Sequence, residues 1–163
     1  MENSSKWNTC TYETPIGSVL LSSDGSFLTS LRYLVPAGFT VTNVADAVTD
    51  HAARQLDEYF AGKREVFDVP IRPIGTDFQR LVWDMLLTIP YGQTRSYKQV
   101  AQMAGNANAS RAVGLANNRN PISIIIPCHR VVGSNGALVG YAGGLGVKQG
   151  LLDLENGSLL LGL

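Results

Sequence analysis

The stretch "SYKQVAQMAGNANASRAVGLAN", residues 96–117, decides the fold of the second half of the chain. Ser96 followed three residues later by Gln99 is the pattern of a capping box, in which two side chains satisfy the free N–H groups at a helix start. This pattern predicts a short helix over residues 97–104. Gly105 ends that helix, because glycine readily takes the left-handed conformation that follows a last helical turn.

A second short helix is predicted over residues 109–117, with Asn108 as its capping residue. Two short helices joined by a tight glycine-containing turn are typical of a helix-turn-helix. Upstream, Thr76 can cap a helix over residues 77–89. Its apolar residues recur at helical spacing and predict one buried face, made of Phe78, Leu81, Val82, Met85, Leu86 and Ile89.

The first half of the chain is predicted to contain strands as well as a helix. "GSVLLSSDGSFLTSLRY" predicts two strands joined at Asp24-Gly25, a strong hairpin signal. "ADAVTDHAARQLDEYFAGK" predicts a helix closed by Gly62. "REVFDVPI" predicts another strand, ended by Pro70, and "RPIGT" predicts a linker. Two domains follow: an α/β domain over residues 1–73 and a mainly helical domain over residues 74–163.

Composition indicates a globular chain that works in a reducing compartment. Of the 163 residues 45% are hydrophobic and 16% are charged, which excludes a disordered chain. No apolar run reaches the length of a membrane span, and the polar start predicts no export signal. Two cysteines, Cys10 and Cys128, are too few for a disulfide framework. We therefore expect a cytoplasmic protein that does not bind membranes.

Charge is distributed unevenly, although the formal net charge is zero. Residues 1–73 carry six Lys/Arg and nine Asp/Glu, whereas residues 74–163 carry seven and four. The second half is therefore the one that could face phosphates. For metals, Cys10 and His51 are too few donors for a closed four-ligand zinc site, so no metal is predicted.

The second decisive stretch is "IIIPCHRVVGSNG", residues 124–136. Its three isoleucines predict a strand, which Pro127 breaks. Since His129 and Arg130 are costly to bury, we expect the end of this strand to open onto a cleft. Neighbouring imidazole and guanidinium groups can lower a thiol pKa. Cys128 is therefore a candidate nucleophile.

His129 can act as a base for Cys128 only if the backbone turns here or a water bridges the two groups, since adjacent residues of a strand point to opposite faces. Glu155, in the helical pattern "VKQGLLDLE", is a candidate to orient the imidazole. Two further interpretations stay open from the residues alone. One is a cysteine hydrolase with a Cys–His–Glu relay, and the other is a non-catalytic module that binds DNA through the helix-turn-helix.

Several motifs of the second half resemble the O6-alkylguanine-DNA alkyltransferases of the bacterial type. They are "IPCHRV", "GYAGGL", "YGQTRSYKQVA", "SRAVGLANNRNP" and "FQRLVW", and they span nearly all of residues 74–163. "TPIGSVLLSSDGSFLTSLR" and "QLDEYFAG" match more loosely. The resemblance implies a ribonuclease H-like small sheet with a helix, followed by a winged-helix-like domain that contains the helix-turn-helix.

The resemblance also implies the activity. An alkyl group on O6 of guanine would pass irreversibly to Cys128, which spends the protein after one turnover and requires no cofactor. The partner would be double-stranded DNA containing O6-alkylguanine, bound through its minor groove with the damaged nucleotide flipped out. A monomer is expected in solution. Action on O4 of thymine and cooperative assembly on DNA are left open.

Site roles are implied residue by residue. Cys128 would accept the alkyl group, His129 would deprotonate it through a water with Glu155 behind the imidazole, Asn120 would hold the active-site loop, and Tyr97 would donate to the leaving purine. Tyr97 also belongs to the substrate pocket, together with Val131, Tyr141, Ala142 and Gly143. Arg111 would fill the gap left by the flipped base. The other implied DNA-binding residues are Lys98, Asn106, Ala109, Ser110, Ala112, Gly114 and Ser134.

The sequence departs from the family pattern at Gly150, where a large side chain is expected. Looser packing behind Glu155 would weaken its hold on His129. A non-catalytic branch of the family carries Trp in place of the nucleophile, and Cys128 argues against that branch.

Overall fold

The computed structural model describes residues 7–33 and 41–158. The chain divides after Pro73 into two compact units. None of the helices in the described ranges has the length and apolar character needed to span a membrane.

The first unit contains a three-stranded antiparallel sheet in the order β1 (Asn8–Thr14), β2 (Gly17–Ser23) and β3 (Leu28–Arg32). The predicted hairpin is β2–β3: the carboxylate of Asp24 accepts from the N–H groups of Ser26 and Phe27 and so closes the turn. β1 is an edge strand that was not predicted from the sequence. The central strand, β2, is buried from Val19 onward. It forms the middle of the core of the first unit.

Helix α1 (Ala47–Phe60) packs on the sheet and agrees with the predicted helix. Asp46 caps it in a capping box with Thr49. Its buried face includes Leu56 and Tyr59, both completely buried. Burial of each such side chain contributes about 1.5–3 kcal/mol. The chain leaves the helix through Gly62, whose φ is +72°, as predicted.

The strand predicted over residues 64–71 is wrong. Only Ile71 makes a bridge, to Leu28, because Pro70 has no N–H to continue a ladder. Instead, a side chain satisfies the backbone here: Oε1 of Gln55 accepts from the N–H groups of Asp68 and Val69 at 3.0 and 3.4 Å.

The second unit begins with α2 (Asp77–Leu87), which Thr76 caps with Gln79, as predicted for Thr76. The buried face differs from the prediction. Trp83 is buried and donates its indole N–H to the carbonyl of Ala116 at 2.9 Å, whereas Phe78 and Leu81 are exposed. Val82, Leu86 and Ile89 are buried as predicted.

The predicted helix-turn-helix is α3 (Tyr97–Met103) followed by α4 (Ser110–Asn118). Ser96 and Gln99 form the predicted capping box, and Gly105 has φ +91° at the turn. The predicted cap at Asn108 is wrong. No side chain caps α4, because the helix begins at Ser110 and Ala109, not Asn108, occupies the capping position.

The segment after α4 departs most from the prediction. The strand expected at the three isoleucines is absent. The chain turns twice there, with Ile125 N donating to Ser123 O and Ile126 N to Ile122 O, and then forms a single 3-10 turn over Cys128–Arg130. β5 (Val131–Val132) follows and pairs in parallel with β4 (Arg95–Ser96). Helix α5 (Leu145–Glu155) ends the unit. The mainly helical second domain is thereby confirmed.

Candidate active site

Cys128 lies in the interior of the second unit. Its exposed fraction is 4%, and those of His129 and Arg130 are 0% and 7%. Both basic side chains are therefore buried, so the reason for expecting an opening here, that they are costly to bury, does not hold. The 3-10 turn brings these three residues together behind α4, and the side chain of Asn117 in α4 donates to the carbonyl of Cys128 at 3.3 Å.

Glu155 explains how two basic side chains are buried. Its Oε2 lies 2.6 Å from Nε2 of His129, and its Oε1 accepts from Nε of Arg130 at 2.7 Å. Arg130 also donates to the carbonyl of Ile89 at 2.7 Å. A buried charge is tolerated only when it is paired and hydrogen-bonded, and one carboxylate serves both bases here. Gly150 does not prevent this contact.

The pKa values of the pair fix the tautomer of the imidazole. Burial alone would raise the pKa of Glu155, but hydrogen bonds from His129 and Arg130, and the positive charges that both bases carry in the acid range where Glu155 titrates, outweigh it and lower the pKa to about 2. Arg130 is the cation that persists at neutral pH. Burial lowers the pKa of His129, so the ring is neutral at pH 7. Because an ionised Glu155 only accepts, Nε2 carries the proton and Nδ1 carries the lone pair.

Nδ1 of His129 is buried and hydrogen-bonds to none of the described residues. A neutral imidazole with its basic nitrogen unengaged is the arrangement a general base requires.

The expectation that the neighbouring bases lower the thiol pKa is wrong. Burial raises the pKa of Cys128 to about 11, and this effect outweighs a hydrogen bond from Asn120, the charge of Lys148 and two backbone N–H groups. The resting thiol is therefore protonated at neutral pH. A nucleophile in this position must lose its proton as it reacts.

Asn120 builds the turn in front of the thiol. Its Oδ1 accepts from the N–H of Ile122 at 2.9 Å and its Nδ2 donates to the carbonyl of Ile126 at 2.8 Å. Between them, Ile124 has φ +71°, a conformation that costs a β-branched residue about 1–3 kcal/mol. The buried surroundings of Ile124 and the two Asn120 bonds hold this turn, which the apolar sequence alone would place in a strand.

Tyr97 lies beside the same site. It follows β4 directly, and pairing of Ser96 with Val132 sets α3 next to the cysteine segment. Its hydroxyl donates to the carbonyl of Val139 at 3.0 Å. Burial and the proximity of Cys128 raise the pKa of Tyr97, so that the hydroxyl remains a donor at neutral pH.

Lys148 is a buried basic residue near Tyr97 that the sequence analysis did not predict. It is completely buried, and its Nζ donates to the carbonyl of Val139 at 3.1 Å. A signal for it exists in the sequence: Lys148, Leu151, Leu152 and Glu155 follow helical spacing, so that the lysine shares the buried face of α5.

The remaining predicted pocket residues follow Cys128 in the sequence. Val131 is completely buried, Tyr141 and Gly143 are half-buried, and Ala142 is exposed.

The predicted DNA-contacting residues divide by exposure. Lys98, Asn106, Arg111, Ala112 and Ser134 are exposed, whereas Ala109, Ser110 and Gly114 are half-buried. A side chain at Gly114 would lie 3.9 Å from the ring of Tyr97, so this glycine faces Tyr97. Leu115, one turn after Arg111, is a bulky apolar residue that is 67% exposed.

No cluster of three or more metal-binding side chains occurs within residues 7–33 and 41–158. His51 instead contacts the carboxylate of Asp68 at 2.9 Å.

The fold and the site together define a class of protein in which a buried cysteine, followed by a His129–Glu155 pair, packs against the second helix of a helix-turn-helix. Family models agree with this class. Residues 77–157 match the DNA binding domain of 6-O-methylguanine DNA methyltransferase, and residues 9–73 match its ribonuclease-like domain. The chain belongs to the 6-O-methylguanine DNA methyltransferase family.

Individual relatives are similar over nearly their whole length. The methylated-DNA–protein-cysteine methyltransferase of Methanosarcina acetivorans is 50% identical over 150 residues, which cover 88% of this chain and 95% of that protein. The solved structure of Mycobacterium tuberculosis O6-methylguanine methyltransferase has a TM-score of 0.85 at 47% identity and covers 93% of both chains. That of Mycobacterium tuberculosis OGT in complex with DNA has a TM-score of 0.86 at 48% identity, over 93% of this chain and 94% of that one.

Proposed function

We propose that this protein repairs DNA by direct reversal of damage and transfers an alkyl group from O6 of guanine to Cys128, irreversibly and once per molecule. The observation that carries the proposal is the buried Cys128 with the His129–Glu155 pair beside it, in a unit that also presents a helix-turn-helix. Family membership supports the same reaction. Residues 1–73 form the α/β domain and residues 74–163 the DNA-binding and alkyl-transfer domain.

The chemistry is a displacement at carbon. Nδ1 of His129, through one water, takes the thiol proton, and the sulfur forms a bond to the alkyl carbon. The bond from that carbon to O6 breaks, and its electron pair goes to the guanine. Tyr97 donates a hydrogen bond to the purine as negative charge develops there. Over the whole step the thiol proton ends on guanine. The thioether product has no carbonyl that water could attack, so Cys128 is not regenerated.

Burial of Cys128 requires the nucleotide to leave the helix. O6 lies on the pairing edge of guanine, and a thiol that is 4% exposed does not reach it inside a stacked duplex. The base is therefore flipped out, at a cost of a few kcal/mol that is smaller for a badly paired base. Arg111 fills the gap: it is exposed near the start of α4, and its planar guanidinium can stack between bases.

Counting transferred label tests the proposal. Duplex DNA that carries labelled O6-methylguanine, supplied in excess, should leave one label per protein molecule on the peptide that contains Cys128. A cysteine hydrolase would turn over repeatedly and leave no permanent adduct. A DNA-binding module without chemistry would leave the thiol free. Either result would contradict the proposal.

Replacement of Arg111 by alanine should slow transfer from duplex DNA roughly 100-fold, because part of the flipping cost is no longer offset. Transfer from a free O6-alkylguanine base should change less than roughly threefold, since that reaction requires no flipping. Single-turnover rates on the two substrates measure the difference. Arg80→Ala is the matched control, because Arg80 is an exposed arginine of α2, ion-paired with Asp77, and carries the same charge. Equal losses on both substrates would contradict the role of Arg111.

A further inference from the structure

Two buried side-chain atoms of the second unit have no hydrogen-bond partner among the described residues: Oδ1 of Asn117 and Nδ1 of His129. Asn117 belongs to α4 and is 3% exposed, and His129 is completely buried. A buried polar atom without a partner costs free energy, and such atoms in native proteins usually have either a bound water or a role in function. The reaction described above gives Nδ1 of His129 a role, but it does not use Asn117.

The hydrogen bond from Asn117 to the cysteine segment fixes which way its amide group points. Nδ2 of Asn117 lies 3.3 Å from the carbonyl oxygen of Cys128, and a carbonyl oxygen can only accept. The nitrogen must therefore face this carbonyl, and Oδ1 lies on the other side of the amide group. Because the carbonyl belongs to the peptide group that joins Cys128 to His129, Oδ1 and Nδ1 both belong to the buried surroundings of Cys128.

These two atoms need the same kind of partner. Oδ1 of Asn117 only accepts hydrogen bonds. Nδ1 of His129 also only accepts, since the imidazole proton is on Nε2, which lies 2.6 Å from Oε2 of Glu155. Two acceptors cannot bond to each other, and none of the described residues donates to either one. A water molecule can donate one hydrogen to each, and its lone pairs can then accept from the thiol of Cys128. Buried waters typically make about three hydrogen bonds of this kind.

We infer that Asn117 is a positioning residue, which orients the water between Cys128 and His129 so that a lone pair of the water faces the thiol. The inference deepens the alkyl-transfer function proposed above and rests on it. Asn117 holds one hydrogen of the water and His129 holds the other. The water therefore cannot turn a hydrogen towards the sulfur, and it accepts the thiol proton without reorienting.

Protons and electrons balance in this step. The thiol proton passes to the water, and the hydrogen of the water that faces Nδ1 passes to His129. The hydrogen held by Asn117 stays in place, so a neutral water remains. The electron pair left on sulfur forms the bond to the alkyl carbon, and the pair of the broken bond to O6 goes to guanine. His129 holds the extra proton, paired with the carboxylate of Glu155, until that proton neutralises the guanine.

A crystal structure of the unsubstituted, substrate-free protein, at a resolution that shows ordered waters, tests the placement directly. We expect one water within hydrogen-bond distance of Oδ1 of Asn117, Nδ1 of His129 and Sγ of Cys128. A site in which no single water contacts both Oδ1 and Nδ1 would overturn the inference. This measurement needs no alkylated substrate, so its result is separate from that of the label count, whose failure alone would overturn the proposed function.

Asn117→Leu tests the role in the reaction, because leucine has a similar size but cannot accept a hydrogen bond. Single-turnover transfer from a free O6-alkylguanine base should slow roughly tenfold, since a water without a fixed orientation transmits only part of the effect of a general base, roughly 10²–10⁴-fold. The free base keeps flipping and the DNA contacts of α4 out of the measurement. Asn118→Leu is the matched control, because Asn118 is the next residue of α4 and is exposed. Its rate should change less than roughly twofold, and an equal loss in this control would overturn the inference.

A double-mutant cycle separates this role from a merely structural one. Asn117 also holds the carbonyl of Cys128, so that its loss can act by loosening the turn. If Asn117 acts through the water on His129, Asn117→Leu should change the rate of a His129→Phe protein less than roughly twofold. If Asn117 only supports the fold, the same substitution should slow both proteins equally, and that result would overturn the inference. Should Asn117→Leu fail to fold, the water in the crystal structure of the unsubstituted protein decides.

Discussion

Cys128→Ala is expected to abolish alkyl transfer while it leaves binding to duplex DNA within roughly threefold of the unsubstituted protein. Transfer should vanish because the atom that forms the new bond to carbon is gone, and no other residue of the site offers a thiolate. Binding should persist because Arg111 lies on the exposed face of α4, whereas the thiol is buried and does not belong to that surface. The measurements are label per protein after prolonged incubation and affinity for alkylated duplex at a fixed salt concentration.

Cys10→Ala is the matched control for the nucleophile. Cys10 is the chain's other cysteine, it belongs to the first unit, and burial raises its pKa as well. This variant should transfer one label per molecule at an unchanged rate. If Cys128→Ala still became labelled, or if Cys10→Ala lost the label, the nucleophile would have been assigned to the wrong residue.

Local signals predicted the part of the fold that depends on local interactions. Ser96 and Gln99 form their capping box within one helical turn, and Gly105 takes its left-handed conformation without help from the rest of the chain. The sequence therefore predicted the bounds of α3 to within one residue. Asn108 fails as a cap because α4 begins one residue later than predicted, which puts Ala109 in the capping position.

The errors at the active site come from contacts between residues far apart in sequence. His129 and Arg130 suggested a cleft because each is costly to bury alone, but Glu155 lies 26 and 25 residues away and satisfies both. The three isoleucines suggested a strand, but Asn120 binds the backbone of Ile126 and folds them into turns. The pKa of Cys128 was expected to fall because basic residues are its neighbours in sequence, but burial raises it and outweighs them.

The sequence did place Glu155 on the same helical pattern as the residues that pack against the cysteine segment. Lys148 on the same face was not predicted to be buried, because a charged residue on an amphipathic helix normally faces solvent. An ionisable residue at a buried position of a helical pattern is worth testing as a functional residue, since burial is expensive without a role.

Glu155→Gln is expected to slow transfer on the order of 10³-fold, by analogy with the loss seen when the acid of a catalytic triad becomes an amide. The cause is the tautomer. The carboxylate only accepts, which keeps the proton on Nε2 of His129 and the lone pair on Nδ1. The amide group of glutamine can donate to Nε2, and the imidazole proton then moves to Nδ1. His129 in that form cannot take the proton from Cys128.

The same substitution should destabilise the second unit by about 3–5 kcal/mol at pH 7, because Arg130 is left buried without its anion. The pH dependence has a definite sign. The folded-state pKa of Glu155 is lowered to about 2 from its usual 4.5, so its contribution is complete above about pH 4.5 and is lost as the pH falls towards 2. The stability difference between the two proteins should therefore shrink between pH 5 and pH 3.

Urea unfolding followed by the fluorescence of Trp83 measures this difference in the correct unit, since Trp83 is buried against α4. Trp7→Phe in both proteins removes the chain's second tryptophan. Asp153→Asn is the matched control: it removes an acid from the exposed side of the same helix, and should change stability by less than about 1 kcal/mol and transfer hardly at all. An equal loss in Asp153→Asn would assign the effect to the net charge of α5. A stable, fully active Glu155→Gln would show that neither the tautomer of His129 nor the burial of Arg130 depends on this carboxylate.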